Sequence, residues 1–233
     1  MTEIECIGDE NACSAWVNLA GSYLRRLGGV VEDVPKRVLL LVAGGGDVVT
    51  GDSGSRCVTC GYDVVIPVGG DVNDVSRRAT VISCISTYYV KRALKGIASC
   101  SMPILEGVSF YLAYLMSRTL DGSVHDYFEK VLRSANADDA LTVLREYGDL
   151  VVDSSYRVVL RSSNVNNVSE ALRTVIGKSV KLKEDVRARA VMSKYVSSFF
   201  RDAGVHEEDP QAFREAVEAV ARALKSLCAG DVG

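Results

Sequence analysis

Apolar residues recur at spacings of three and four over most of this chain, and that period predicts a mostly helical protein. Asp209 followed by Pro210 is typical of a helix start, because Asp caps the free N–H groups and Pro suits the first helical position. The pattern favours eight helices, over 11–27, 74–95, 103–118, 123–134, 137–147, 169–176, 184–203 and 209–227.

Short β-branched runs with turn residues between them predict a smaller β component. Runs at 37–42 and 62–68 are typical of buried strands, and Pro67 indicates an edge position or a strand end. Residues 150–152 and 156–160 flank Asp-Ser-Ser, which favours a hairpin. We therefore expect an α+β fold, a mostly α-helical single domain over 1–233 with a small antiparallel β-sheet. A Gly- and Cys-containing β subregion, 36–72, would lie at its edge.

The apolar runs are too short or too interrupted for a bilayer span, which takes about 20 residues. The longest, around 110–116, lies between Glu106 and Arg118 and predicts a buried core helix. The N-terminus lacks the basic and apolar regions of a signal peptide, and seven cysteines cannot all pair within the chain. These features favour a cytoplasmic protein without membrane contact. Arg outnumbers Lys 18 to 9, and a single Gln is present, which suits a thermophile.

Cys57-Val-Thr-Cys60 followed by Gly61 is the sharpest local motif. Two thiolates three positions apart can bind one tetrahedral metal ion, so the spacing predicts half of a structural zinc site. The nearest further thiols are Cys84 and Cys100, and Cys6 and Cys13 are alternative ligands. A disulfide or redox couple within the motif, or buried thiols in a turn, would explain the same spacing without metal.

The remaining motifs lack the partner residues or the spacing of a catalytic site. Gly51-Asp-Ser-Gly-Ser55 is similar to the sequence around the nucleophile of trypsin-like serine proteases. Those enzymes place His and Asp before the serine, whereas His125 and His206 both follow it here. The Gly-rich run 43–46 lacks the spacing of a dinucleotide-binding loop. The absence of paired acid–base groups favours a non-catalytic protein.

Charge is distributed unevenly along a chain whose net charge is only -3. Residues 156–201 carry ten Lys or Arg and three acids, and 77–95 carries five Lys or Arg and no acid. Local cationic stretches of this kind are what phosphate contact needs. The predicted nucleic-acid-binding residues are Arg77, Arg78, Lys91, Arg92, Lys95, Lys178, Lys181, Lys183, Arg187, Arg189 and Lys194.

The leading hypothesis is a non-catalytic, nucleic-acid-associated subunit of a nucleoprotein complex, which contacts phosphates through these two basic segments. An acidic protein partner would fit the same charges. The first alternative is a structural or assembly protein, such as a viral one, that forms an oligomer through complementary charged surfaces. The second is a metal- or thiol-dependent enzyme at the Cys57 motif. If helix 184–203 contacts nucleic acid, reversing the charges of Arg187 and Arg189 should weaken binding and leave thermal stability nearly unchanged.

Overall fold

The computed structural model describes residues 2–42, 61–161 and 168–229, and in these ranges the chain forms eight α-helices and six strands. The helices are α1 (Glu10–Leu27), α2 (Val75–Leu94), α3 (Met102–Leu120), α4 (Gly122–Arg133), α5 (Ala140–Tyr147), α6 (Val168–Glu184), α7 (Val186–Asp202) and α8 (Ala212–Ala229). The strands are β1 (Glu3–Ile7), β2 (Arg37–Val42), β3 (Val64–Val68), β4 (Ser99–Ser101), β5 (Leu150–Asp153) and β6 (Val158–Leu160). A short 3-10 helix, Ala137–Asp139, precedes α5.

The mostly helical α+β class with a small antiparallel sheet is confirmed, and a second, parallel sheet accompanies it. The chain divides into two compact units. The first comprises Met1–Tyr88 and Met116–Tyr127, and the second comprises Tyr89–Leu115 and Phe128–Gly233.

The first unit is built on the parallel sheet, in the order β1-β2-β3. Its central strand, β2, buries Val38, Leu39 and Leu40 completely, so side chains on both faces are covered, as is usual for parallel strands. Within the described residues β3 pairs only with β2, and Pro67 therefore lies in an edge strand, as predicted.

Helix α1 connects β1 to β2 and packs against both strands. The side chain of Asp9 accepts a hydrogen bond of 3.0 Å from the backbone N–H of Ala12, which satisfies one of the free donors at the helix start. Trp16, Tyr23 and Leu27 are buried at spacings of seven and four, so one face of α1 forms part of the core.

The second unit contains the antiparallel sheet, in the order β4-β5-β6, with Cys100 opposite Val152 and Val151 opposite Val159. The predicted hairpin at 150–160 is the β5–β6 pair. A disulfide joins Cys100 on β4 to Cys228 on α8, and both residues are buried. This bond ties two segments that are 128 residues apart in the chain.

Helix α3 supplies the core of the second unit. Its residues from Met102 to Ala113 are buried on every side, which agrees with the predicted core helix at 110–116. The ring of Phe110 meets Phe128 of α4 edge-on, with centroids 5.0 Å apart. The ring centroids of Tyr111 and of Phe200 on α7 are 4.8 Å apart. No helix in the described part of the chain is both long and apolar enough to cross a membrane.

Gly107 allows the close approach of α3 and α7. A Cβ atom at this position would lie 2.7 Å from the Cβ of Met192 and 2.8 Å from its backbone carbon, closer than van der Waals contact allows. We expect Gly107→Ala to destabilise the protein by about 1–3 kcal/mol through overpacking. The matched control is Gly122→Ala at the start of α4, where the new Cβ meets nothing within 4 Å. Chemical denaturation should show a lower free energy of unfolding for the first variant alone.

Candidate nucleic-acid interface

The end of the first basic segment contacts the start of the second, within the second unit. The Nζ atom of Lys91, near the end of α2, lies 4.8 Å from the ring centroid of Tyr156, in the turn between β5 and β6. A cation over an aromatic face at this distance is attracted by the ring's negative π surface. This contact joins residues that are 65 positions apart in the chain.

Asp153 organises the turn that carries Tyr156. Its carboxylate accepts hydrogen bonds from the backbone N–H groups of Ser155 and Arg157 and from the Arg157 guanidinium, at 2.9–3.0 Å. These donors, the Arg157 N–H first among them, hold the pKa of Asp153 below its usual range. The carboxylate is therefore ionised at neutral pH and keeps the turn in one conformation.

Tyr156 has an unusual backbone conformation, with a φ of 62°. This left-handed region costs a side chain other than Gly about 1–2 kcal/mol, and Asn or Gly is the common choice there. The hydrogen bond from the Tyr156 N–H to the Asp153 carbonyl, at 2.8 Å, holds the residue in place. A half-buried aromatic ring at a strained turn position is a feature that favours a binding role over a purely structural one.

Two further cations follow Lys91 in the chain. Arg92 and Lys95 are exposed at the end of α2. The segment after that helix lies against the hairpin turn, because the N–H of Ser154 donates to the carbonyl of Ala98 at 3.2 Å. We use the name hairpin surface for Lys91, Arg92, Lys95, Tyr156 and Arg157.

Most of the predicted cations in 178–194 have acceptors inside the fold. Lys178 contacts Asp149, Lys181 contacts Glu146, Arg187 contacts Asp139 and Arg189 contacts Glu106. The ammonium group of Lys194 donates to the backbone carbonyl of Ala135 at 2.7 Å. Lys183 is exposed in the last turn of α6.

Lys178 and Lys181 attach α6 to the end of α5. The Nζ atom of Lys178 is 3.0 and 2.9 Å from the two carboxylate oxygens of Asp149, and it also reaches the carbonyl of Glu146. Lys181 binds the Glu146 carboxylate at 2.6 Å, which lowers the pKa of Glu146 and raises that of the lysine. These contacts account for both lysines as structural ion pairs.

Arg189 is nearly enclosed by the second unit. Its Nε atom lies 3.2 Å from the Glu106 carboxylate, and the exposed fractions of the two side chains are 14% and 9%. The guanidinium also lies 5.4 Å from the ring centroid of Phe110. A cation so covered stabilises the core and is not placed to reach a phosphate.

Arg77 and Arg78 belong to the first unit. Arg78 is half-buried, with its Nε atom 3.5 Å from the Asp121 carboxylate, which also accepts a hydrogen bond of 2.5 Å from the Tyr23 hydroxyl. Arg77 is exposed in the first turn of α2. Of this pair, Arg77 alone presents its charge to solvent.

The predicted zinc ligands are only partly covered by the structure. Cys57 and Cys60 lie outside the described residues, so zinc binding by this motif stays a prediction. Cys84 is half-buried on α2. Cys100 is bonded to Cys228 and, in that state, does not supply the thiolate that the predicted site needs. Among the described residues no group of three or more His, Cys, Asp or Glu side chains is arranged to hold a metal ion.

Cys6 and Cys13, the alternative zinc ligands, form a disulfide in the first unit.

Comparison of the chain with protein-family models, with curated proteins and with solved structures found no match.

Sequence reasoning omitted Arg157 from the predicted site. The signal was present in the predicted hairpin, since residues that follow a tight turn lie beside the strand that precedes it. The sequence pattern did not show that the end of α2 lies beside that turn.

Proposed function

We propose that the protein is a non-catalytic subunit that binds nucleic acid through the hairpin surface. The contact of Lys91 with the Tyr156 ring carries this proposal, because it brings the end of the first basic segment to the start of the second. Cations next to an aromatic ring are suited to a single strand, whose phosphates pair with the cations while a base stacks on the ring.

The proposal uses fewer residues than the sequence suggested. Lys178 and Arg189 are partly covered against carboxylate partners within the chain, and releasing them would cost folding free energy. Arg157 also pairs with Asp153, but its side chain is 76% exposed and faces solvent. Lys91, Arg92 and Lys95 lie in a stretch from 75 to 105 that contains no acid. That local excess of positive charge favours the α2 end over the α6–α7 region as the phosphate contact.

A cytoplasmic location remains part of the proposal. Disulfides such as Cys6–Cys13 and Cys100–Cys228 are unusual in the cytoplasm of mesophiles but common in intracellular proteins of hyperthermophiles, which agrees with the Arg-rich composition.

The test is fluorescence anisotropy of labelled single- and double-stranded DNA and RNA at two salt concentrations. We expect Arg92→Glu with Lys95→Glu to weaken binding about 10- to 100-fold, because two phosphate contacts become repulsive. The slope of log affinity against log salt should become shallower by about 1.5–2.

The control reverses the same number of charges elsewhere in the second unit. Lys130→Glu with Arg133→Glu alters two exposed cations of α4 and leaves the hairpin surface unchanged. Equal losses in both double variants would show that only net charge matters, and unchanged affinity in the first would rule the hairpin surface out.

Tyr156→Asn separates stacking from charge. Asn tolerates the left-handed conformation, so the turn is kept while the ring is removed. We expect about tenfold weaker binding of single strands and a small change for duplexes, since stacking on an aromatic ring contributes about 1–3 kcal/mol per base. An equal loss for both kinds of strand would contradict stacking by Tyr156.

A further inference from the structure

Helix α6 carries an apolar stripe that the described part of the chain leaves exposed. Leu172, Ile176 and Val180 have exposed fractions of 56%, 61% and 48%, and they account for three of the six large exposed hydrophobic side chains in the described residues. Their spacing of four residues places them in one row along the helix, over about 12 Å. Isolated exposed apolar residues are ordinary, but a row of three on one helix indicates a contact surface.

The inner face of α6 is already occupied. Leu182 is buried, and Lys178 binds Asp149. The inner face of α6 therefore packs against the rest of the second unit. The stripe forms a second, apolar face that points away from it. A surface helix with no further contact would need apolar residues on one face only.

Gly177 lies beside the stripe and is exposed in the middle of the helix. A Cβ atom there would meet nothing within 4 Å, so no contact among the described residues requires glycine. Glycine at an internal helix position costs about 1 kcal/mol relative to alanine. The absence of a side chain would, however, let the backbone of a second helix approach closely.

We propose that α6 pairs with α6 of a second copy of this chain, antiparallel, about a two-fold axis near Ile176. In this arrangement Ile176 meets Ile176 of the other copy, and Leu172 lies level with Val180 of the other copy. The stripe shares no residue with the hairpin surface. Self-association would rest mainly on apolar contact, whereas the sequence suggested complementary charged surfaces.

The charges of α6 select the antiparallel direction. Lys183 is exposed in the C-terminal half, and a parallel pair would place its two copies side by side. An antiparallel pair separates them. Arg173 and Glu184 are both exposed on the same flank of the stripe, and a two-fold axis brings each Arg173 towards Glu184 of the other copy.

Sedimentation equilibrium of the full chain over a range of concentrations tests the pairing. We expect a monomer–dimer equilibrium, and Ile176→Glu should raise the dimer Kd by about 100-fold or more, because the substitution places two carboxylates at the axis. Leu141→Glu is the matched control, since Leu141 is equally exposed, at 63%, but lies on α5. Both variants should keep the circular dichroism spectrum of the native chain and, at concentrations below the dimer Kd, its melting temperature.

Cysteine cross-linking determines the direction. Ile176→Cys should form an intermolecular disulfide with itself. Leu172→Cys should not, because its two copies are about 13 Å apart along the antiparallel pair. A mixture of Leu172→Cys and Val180→Cys should form the heterodisulfide. The unmodified chain under the same oxidation gives the background from its own cysteines.

A monomer at all concentrations would overturn the proposal, as would a dimer that survives Ile176→Glu or is lost equally in Leu141→Glu. Efficient self-cross-linking of Leu172→Cys would overturn the antiparallel direction. Co-sedimentation of a monomer with anionic phosphatidylserine vesicles, abolished by Ile176→Glu, would assign the stripe to a lipid surface instead.

Discussion

Cys228→Ser should lower the free energy of unfolding of the second unit by about 4–5 kcal/mol. The Cys100–Cys228 disulfide closes a loop of 128 residues, and a cross-link stabilises mainly by restricting the unfolded chain, more so for a longer loop. Guanidinium denaturation followed by far-UV circular dichroism measures the change. Cys100→Ser should give the same value, and the double variant should add little.

The second disulfide provides the control. Cys6 and Cys13 are only seven residues apart, so the same argument predicts a loss of about 2 kcal/mol for Cys13→Ser. If Cys228→Ser costs no more than Cys13→Ser, or if the losses of Cys100→Ser and Cys228→Ser add up, the long cross-link does not stabilise the protein as described.

Arg189→Met should be nearly as damaging, with an expected loss of about 3–5 kcal/mol, because it leaves the Glu106 carboxylate buried without its cation. The double variant Arg189→Met with Glu106→Leu removes both charges and should recover most of that loss. Urea denaturation of the two single variants and the double variant gives the coupling energy of the pair.

Arg187→Met is the matched control, two positions away on the same helix. Its ion pair with Asp139 spans 3.5 Å between exposed side chains, and such pairs contribute at most about 1 kcal/mol. Similar losses for the two Met variants would contradict a buried role for Arg189. This result also bears on the sequence-based expectation that reversing Arg187 and Arg189 leaves stability unchanged. Reversal at Arg189 would place two carboxylates together, so we expect the double reversal to lower thermal stability as well.

Helix positions followed closely from the sequence because amphipathic periodicity is local. The prediction over 11–27 corresponds to α1 (Glu10–Leu27), and the one over 74–95 corresponds to α2 (Val75–Leu94). The predicted end of the sixth helix at 176 was wrong, because α6 continues through Gly177 to Glu184. The low helix propensity of one residue does not end a helix when tertiary contacts hold the following turn. Here Lys178 binds Asp149, Lys181 binds Glu146, and Leu182 is buried.

Strand β1 (Glu3–Ile7) had no local signal of comparable strength. It is five residues long, two of its residues are Glu, and its side chains are exposed or only half-buried. Its backbone pairs with β2, 34 positions later in the chain, in a parallel register that crosses α1. Such pairing depends on long-range contacts, which is why the parallel sheet was absent from the predicted fold.

The sequence by itself determined the helix periods, the hairpin at 150–160, the core character of α3 and the uneven distribution of charge. Only the tertiary structure decided which cations have carboxylate partners, because ion pairs such as Glu106–Arg189 join residues 83 positions apart. It likewise brought Lys91 to Tyr156 and left Leu172, Ile176 and Val180 uncovered. Periodicity shows which residues share a face of a helix, but what lies against that face depends on how distant segments pack.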